Sequence, residues 1–320
     1  MSQTEGVSRP QYVNDHDDLA AEFDALRPRL VGVAYALLGS VDEAEDVVQD
    51  AWLRLRTANR GRGSDWETHE ESGEIRDVTG WLVVTVSRLA LDVLRSARHR
   101  REEYVGPWLP EPILTDPVLT APDPADRVTL DESMNLAMLV VLESLSPAER
   151  TAFVLHDVFG LSFAEVGEAV GRTAGACRQL ATRARRHIAS RAPRFDVDPS
   201  AHRRTVSAFA GACLGGDMNA LLALLDPDVV LRSDGGGVVS AARRPIVGAD
   251  KVARFCLGVN RFGTLTMTDA LVNGWPGLVR FRDGRLAGVM ALTVADGRIT
   301  AIDSVMNPEK LARVSRTGNL

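Results

Sequence analysis

The 320-residue chain has no apolar run that approaches a membrane span, and its N-terminus is polar and acidic without a signal-peptide core. A cytoplasmic protein is expected. Cysteine is scarce: Cys177, Cys213 and Cys256 are isolated and lack metal-ligand spacing, which argues against a disulfide frame or a zinc site and for reduced, partly buried thiols. No metal or cofactor is expected. Lysine is nearly missing, since only Lys251 and Lys310 stand among the 37 Lys and Arg residues, so cationic contacts fall to arginine, whose planar fork suits phosphate and guanine. A formal charge of -6 looks wrong for a nucleic-acid partner until it is resolved along the chain. Residues 84–101 set five arginines against Asp92, residues 102–132 set eight carboxylates against Arg127, and from Arg172 to Arg194 there is no acid at all.

What is present is organised around Leu145 to Arg191. Ser146 with Glu149 forms a capping box, Gly160 stops the first helix, Ser162 with Glu165 caps a second, and Gly171 and Thr173 turn into a third. Phe163, Val166 and Val170 make one apolar face; Cys177, Leu180, Ala181, Ala184 and Ile188 make the next. Two short helices about a glycine turn are a helix-turn-helix, and the all-basic third helix adds an electrostatic footprint for phosphate. The reading is DNA binding.

Residues 1–17 are polar and read as disordered. A helix follows over Asp18 to Leu38 with Phe23, Leu26, Leu30, Val33, Ala34 and Leu37 inward, bent or started by Pro28. Ser40 with Glu43 caps the next, whose apolar side is Ala44, Val48, Ala51, Trp52 and Leu55 and whose other side carries Asp42, Glu43, Glu45, Asp46, Gln49 and Asp50. Residues 58–78 read as a loop. From Trp81 to His99 a strong helix buries Leu82, Val86, Leu89, Ala90, Val93 and Ala97, with Arg88, Asp92, Arg95 and His99 on another face. Six prolines within residues 104–127 make an acidic, extended linker. Beyond Pro199 come two helices and then strands at 229–232, 238–242, 265–272, 278–282, 286–294 and 299–305, with a helix over 250–258. Asn273-Gly274, Asp283-Gly284 and Asp296-Gly297 are hairpin signals. An α+β domain built on a curled antiparallel meander is expected, a cone with an internal cavity.

In this order the segments resemble the extracytoplasmic-function sigma factors of bacterial RNA polymerase. Gly39 to Leu55 is similar to the region 2 helix that binds the clamp helices of the largest polymerase subunit, Gly80 to Glu102 to the segment that opens and reads minus-10 DNA, and Leu145 to Arg191 to region 4, which reads minus-35 DNA. WLPEP (Trp108, Leu109, Pro110, Glu111, Pro112), DGGG (Asp234, Gly235, Gly236, Gly237) and NPEKL (Asn307, Pro308, Glu309, Lys310, Leu311) further resemble the subgroup with a C-terminal SnoaL-like domain. The resemblance implies two all-α sigma modules, a region 2 bundle and a region 4 helix-turn-helix, followed by an α+β SnoaL-like cone. The expected layout is region 2 over 18–106, an acidic proline-rich linker over 107–132, region 4 over 133–196 and the SnoaL-like domain over 197–320.

The resemblance implies core RNA polymerase and promoter DNA as partners. Asp42, Glu43, Glu45, Asp46, Gln49, Asp50 and Trp52 would meet the polymerase. Trp81, Arg88, Asp92, Arg95, Arg98, Arg100 and Arg101 would handle melted minus-10 DNA. Arg172, Thr173, Arg178, Gln179, Thr182, Arg183, Arg185 and Arg186 would meet minus-35 duplex, with Arg178 and Gln179 suited to base edges. Arg88 stands where many relatives have Asn. The linker's acids would sit in a basic nucleic-acid channel of the polymerase or remain solvated. WLPEP, DGGG and NPEKL would regulate between domains, and the cone leaves room for a small ligand that the sequence does not name. His202, Asp234, Asp269 and Asp303 are the acid-base candidates there, yet no pair is fixed by spacing, and the chain reads as a non-enzyme. The alternative is a one-component helix-turn-helix regulator with a ligand-binding SnoaL-like domain, which would have no use for the acidic Asp42 to Asp50 face or the arginine helix after Trp81; a cyclase or isomerase with a borrowed helical domain is a further rival.

Overall fold

A computed structural model describes residues 15–60, 75, 77–114, 134–191, 198–259 and 263–317. The expected disordered N-terminus up to residue 14, the loop over 61–74 and the linker beyond 114, with Asp116 and Asp123, lie outside the described residues. The first helices are α1 (Asp15–Leu38), α2 (Val41–Arg60) and α3 (Val78–Glu102). Pro28 neither starts nor ends α1, which runs through it. Gly39, at φ 72°, separates α1 from α2, and Ser40 Oγ accepts the Glu43 N–H at 3.4 Å while Asp42 and Glu43 complement the first turn.

Asn135 caps α4 (Leu136–Leu142), and both predicted capping boxes are formed, Ser146–Glu149 on α5 (Pro147–Phe153) and Ser162–Glu165 on α6 (Phe163–Val170). A π-helical turn, Val154–Val158, continues α5, and His156 Nδ1 reaches forward to the Leu161 carbonyl at 2.7 Å. Gly171, left-handed at φ 70°, turns the chain into α7 (Ala174–Arg191). The two helical groups are not separate bodies on a tether. Leu30, Val33, Leu37, Leu82 and Val86 share one apolar core with Leu155, Val166 and Val170. Arg150 crosses this seam: fully buried, it donates through Nε and Nη2 to the Ala36 carbonyl at 3.4 and 3.2 Å and pairs with Glu143.

The C-terminal part is α8 (Pro199–Gly215), α9 (Met218–Leu224), β1 (Leu225–Asp234), β2 (Ile246–Val247), α10 (Ala249–Val259), β3 (Leu265–Val272), β4 (Trp275–Arg282), β5 (Arg285–Ala295), β6 (Arg298–Val305) and α11 (Ala312–Thr317). The sheet order is β2-β1-β6-β5-β4-β3. Asn273, Asp283 and Asp296 all have positive φ and each precedes a positive-φ glycine, the geometry of the type I′ turns that the Asn-Gly and Asp-Gly pairs predicted. Two expectations fail. Residues 238–242 are no strand, because the glycine turn after Asp234 carries them off the sheet, and β1 pairs β6 in parallel, a non-local partnership that hairpin signals cannot reveal. The inner face, with Leu278, Met290 and Leu292, packs under α8 to α10; the outer face, with Val279, Val289 and Val305, closes on Leu109 and Leu114 of the linker.

Arg150→Ala should lower the stability of the helical part by about 3 kcal/mol, since it strands the Ala36 carbonyl and the Glu143 carboxylate at the seam. Urea unfolding followed by far-ultraviolet circular dichroism measures this; a loss below about 0.5 kcal/mol would deny the seam its role.

Candidate functional site

The third helix of the helix-turn-helix, α7, buries Cys177, Leu180, Ala181, Ala184 and Ile188 and so turns Arg178, Gln179, Arg183, Arg185 and Arg186 outward, with Arg172 exposed in the turn before it. Two of these arginines are already paired within the module, Arg183 with Glu149 at 3.2 Å and Arg185 with Asp157 at 2.7 Å. Arg178 lies over the Phe163 ring, 5.1 Å from its centre. Thr173 and Thr182 have local work, Thr173 Oγ1 accepting the Ala176 N–H at 3.2 Å and Thr182 Oγ1 donating to the Arg178 carbonyl at 2.8 Å.

On α3, Arg95 pairs with Asp92 at 3.1 Å on the surface, and Trp81 is half-buried against the helical core. The side chains of Arg98, Arg100 and Arg101 lie outside the described residues. Arg88 points at the other module: its Nε and Nη2 donate to the Glu168 carbonyl near the end of α6, at 3.1 and 2.8 Å. A cation there complements the negative end of a helix. On α2, Asp42, Asp46, Gln49 and Asp50 are exposed and Glu43 and Glu45 half-buried. Trp52 stacks on Phe23, ring centres 4.7 Å apart. Arg313 of α11 covers part of this acidic face, its Nη2 reaching Asp42 at 2.8 Å and Glu45 at 2.6 Å.

The three short motifs meet in one clasp. Asp234, fully buried at the end of β1, accepts from Tyr104 Oη at 2.6 Å and the Gly236 N–H at 3.0 Å on one oxygen, and from the Leu109 N–H at 2.9 Å and Lys310 Nζ at 2.7 Å on the other. Lys310 also donates to the Leu109 carbonyl and lies over the Trp108 ring, 4.0 Å from its centre. Asn307 Nδ2 donates to Tyr104 Oη at 3.0 Å. Burial first, then the neighbouring carboxylate, pushes the Tyr104 phenol up, so it stays a donor. The glycines give clearance: a Cβ on Gly236 would stand 2.5 Å from Asn307, and one on Gly39 2.9 Å from the Trp108 ring.

Below the clasp the linker is bolted to α1 and α2. Glu111 Oε2 accepts the Val41 N–H at 2.8 Å, the Glu111 N–H reaches the Gly39 carbonyl at 2.8 Å, and the Tyr35 hydroxyl donates to the Glu111 carbonyl at 2.6 Å. Asn273 Nδ2 in turn donates to Tyr35 Oη at 2.8 Å, and Asn273 exchanges bonds with Ile113. In this arrangement Glu111 is neither solvated nor free for a polymerase channel, contrary to the reading of the linker acids; Pro110 and Pro112 are buried beside it. Tyr104, Tyr35 and Arg313 had no local signal, and Asn273 showed only its hairpin turn, because the partners of all four lie far away in sequence.

The acid-base candidates do not assemble. Asp234 belongs to the clasp, Asp303 pairs with Arg232 at 2.6 Å, Asp269 is exposed and accepts from Ser207 at 2.6 Å, and His202 packs near Trp275. None of the four lines the large cavity of the cone. Among the described residues no helix is long and apolar enough to cross a membrane.

Residues 23–100 match Sigma-70 region 2 and residues 135–188 match Sigma-70, region 4. The two regions, in that order on one helical core, define a bacterial sigma factor. The chain is 42% identical over 303 residues to the ECF RNA polymerase sigma factor SigJ of Mycobacterium tuberculosis, covering 91% of this chain and 92% of that one. It is 39% identical over 302 residues to a chain of the same species named Probable ECF RNA polymerase sigma factor SigI, covering 93% and 97%. The crystal structure of Mycobacterium tuberculosis SigJ aligns with a TM-score of 0.71 at 38% identity, over 93% of this chain and all of that one, SnoaL-like cone included. The chain belongs to the ECF RNA polymerase sigma factors.

Burial pushes Glu111 up to about 7, against the pull of the Val41 N–H; Asp42 adds to the rise, and Arg313 and Lys310 oppose it. Because the docked form holds its proton above the ordinary 4.5, docking is strongest below that value and weakens as pH rises through 7. Hydrogen-exchange protection of the Leu109 and Glu111 amides, corrected for intrinsic rate, should fall about tenfold or more from about pH 5.5 to about pH 8, and stay level in Glu111→Gln. A slope that persists in the variant would assign it to another group.

Proposed function

We propose that this sigma factor binds core RNA polymerase through the acidic face of α2, opens minus-10 DNA with α3 and reads minus-35 DNA with α7, and that its C-terminal domain restrains it through the clasp. Arg178 and Gln179 read base edges, while Arg172, Arg183, Arg185 and Arg186 hold phosphates. Trp81 and the arginines of α3 serve melted DNA. The C-terminal domain acts as a regulatory partner rather than a catalyst, which the scattered positions of His202, Asp234, Asp269 and Asp303 support.

The observation that carries the restraint is the double engagement of surfaces the reading needs. Arg313 occupies Asp42 and Glu45, and Arg88 is spent on the Glu168 carbonyl. Two DNA elements more than one helical turn apart, over ~34 Å, cannot both be met while α3 packs on α6. Transcription therefore requires the modules to part. The one-component regulator is the weaker reading, since the region 2 match lies outside anything it needs.

Run-off transcription with purified bacterial core polymerase, on a promoter selected from random DNA, should start at a defined position. Failure of the full chain and of residues 1–196 both to start transcripts and to bind core would end the sigma reading. Arg313→Ala should raise affinity for core polymerase about fivefold by freeing Asp42 and Glu45, and unchanged affinity would remove the restraint. Arg178→Ala should cost about 1 to 3 kcal/mol on the selected promoter and much less on random duplex; equal losses on both would refute base readout by this arginine.

A further inference from the structure

Between the inner face of the sheet and its helices lies a cavity of about 920 Å³. Its wall is mostly apolar, with Phe209, Leu231, Phe255, Met267 and Met290. Among the described residues no aspartate or glutamate lines it, yet Arg280 and Arg282 do. Arg280 and Arg282 stand two residues apart on β4, so both face inward. Arg282 Nη2 is taken up by the Val259 carbonyl at 3.2 Å. Arg280 is the unusual one: only 8% exposed, it donates through Nη2 to Ser304 Oγ at 3.2 Å, and its buried Nε has no hydrogen-bond partner among the described residues. Room for the guanidinium comes from Gly288 on β5, where a Cβ would stand 3.0 Å from Nη2. Asp303, next to Ser304, is committed to Arg232 and is absent from the cavity wall.

A guanidinium held in an apolar chamber without a carboxylate is costly, and its natural complement is an anion that arrives with a ligand. The rest of the wall asks for an apolar body. We propose that the cavity binds an amphipathic monocarboxylate, its head on Arg280 and Ser304 and its hydrocarbon or aromatic body among Phe209, Met267 and Met290. Pro308 and Leu311 line this same cavity, while Asn307 and Lys310 between them hold Tyr104 and Asp234. Occupancy is thereby placed next to the clasp. That regulatory link rests on the restraint proposed above; the binding itself does not.

The test is calorimetry on the full chain with two matched pairs, decanoate against decanol and 2-naphthoate against 2-naphthol. At least one acid should bind one to one and at least about tenfold more tightly than its alcohol, a ratio of the size that a charge-assisted contact supplies. Arg280→Gln, checked for folding by circular dichroism, should erase that preference, and Ala287→Trp, which fills the cavity from its wall, should remove binding of both. No binding by either acid in the millimolar range, parity between acid and alcohol, or an acid preference that survives Arg280→Gln would overturn the proposal. Should Arg280→Gln fail to fold, Arg280→Lys and the acid-over-alcohol ratio of the unaltered chain decide it, with parity again the overturning result. Transcription plays no part in this readout, so failure of the sigma reading and failure of the ligand remain separate.

Discussion

Asp234 is a carboxylate taken out of water, and everything around it is arranged to make that tolerable. A buried charge survives only when its lone pairs are met by donors and its charge by an opposite one. Four donors converge on Asp234, from three stretches of chain: Tyr104 and Leu109 before and within the linker, Gly236 in its own turn, and Lys310 at the C-terminal end. Its backbone carbonyl takes the amides of Met306 and Asn307 as well. A single residue thus fixes the path of the glycine turn, the start of the linker and the exit of the last strand. Loss of any one donor leaves the carboxylate under-satisfied, so the parts hold or release together.

That constraint explains why the cone's sheet has an apolar outer face. An antiparallel sheet ordinarily turns one face to water, with alternating polar residues. Here Val279, Val289 and Val305 lie on the outside and are covered by Leu109 and Leu114, whose position follows from the clasp above and the Glu111 contacts below. The linker is therefore part of the structure's interior where it is described, and only its chemistry of short polar contacts distinguishes this interface from a core.

Local signals in the sequence translated well and distant ones did not, for a physical reason. Both capping boxes and all three Asn-Gly or Asp-Gly turns depend on residues within four positions of one another, and each formed as expected. The helix-turn-helix face and the outward arginines of α7 follow from 3.6-residue periodicity alone. The parallel pairing of β1 with β6 depends on a strand some seventy positions away, and the Val-Val-Ser-Ala-Ala run at 238–242 imitates a strand that the glycine turn forbids. As a linker acid Glu111 reads as bound for a polymerase channel or for solvent, although WLPEP also marks it as interdomain; its burial comes from Val41 and Tyr35, on helices closed long before it in the chain. Tyr104 and Arg313 carry no motif, yet they join the clasp to Asp234 and to α2.

The composition of the contacts bears on how such a restraint can work. The seam between regions 2 and 4 is largely apolar, with Leu37, Val86, Leu155 and Val166 at its centre, and burial of that kind opens slowly and at considerable cost. The contacts of the C-terminal segment are polar and partly exposed: Arg313 on Asp42 and Glu45 is worth little by itself in water. A partner offering a larger basic surface to α2 can displace Arg313 cheaply, whereas it must spend real binding energy to part the helical modules. Any effector can shift this balance only by its different affinity for the docked and released forms. Under the proposed restraint, the exposed polar contacts of α11 are the cheapest to displace and the apolar seam the costliest.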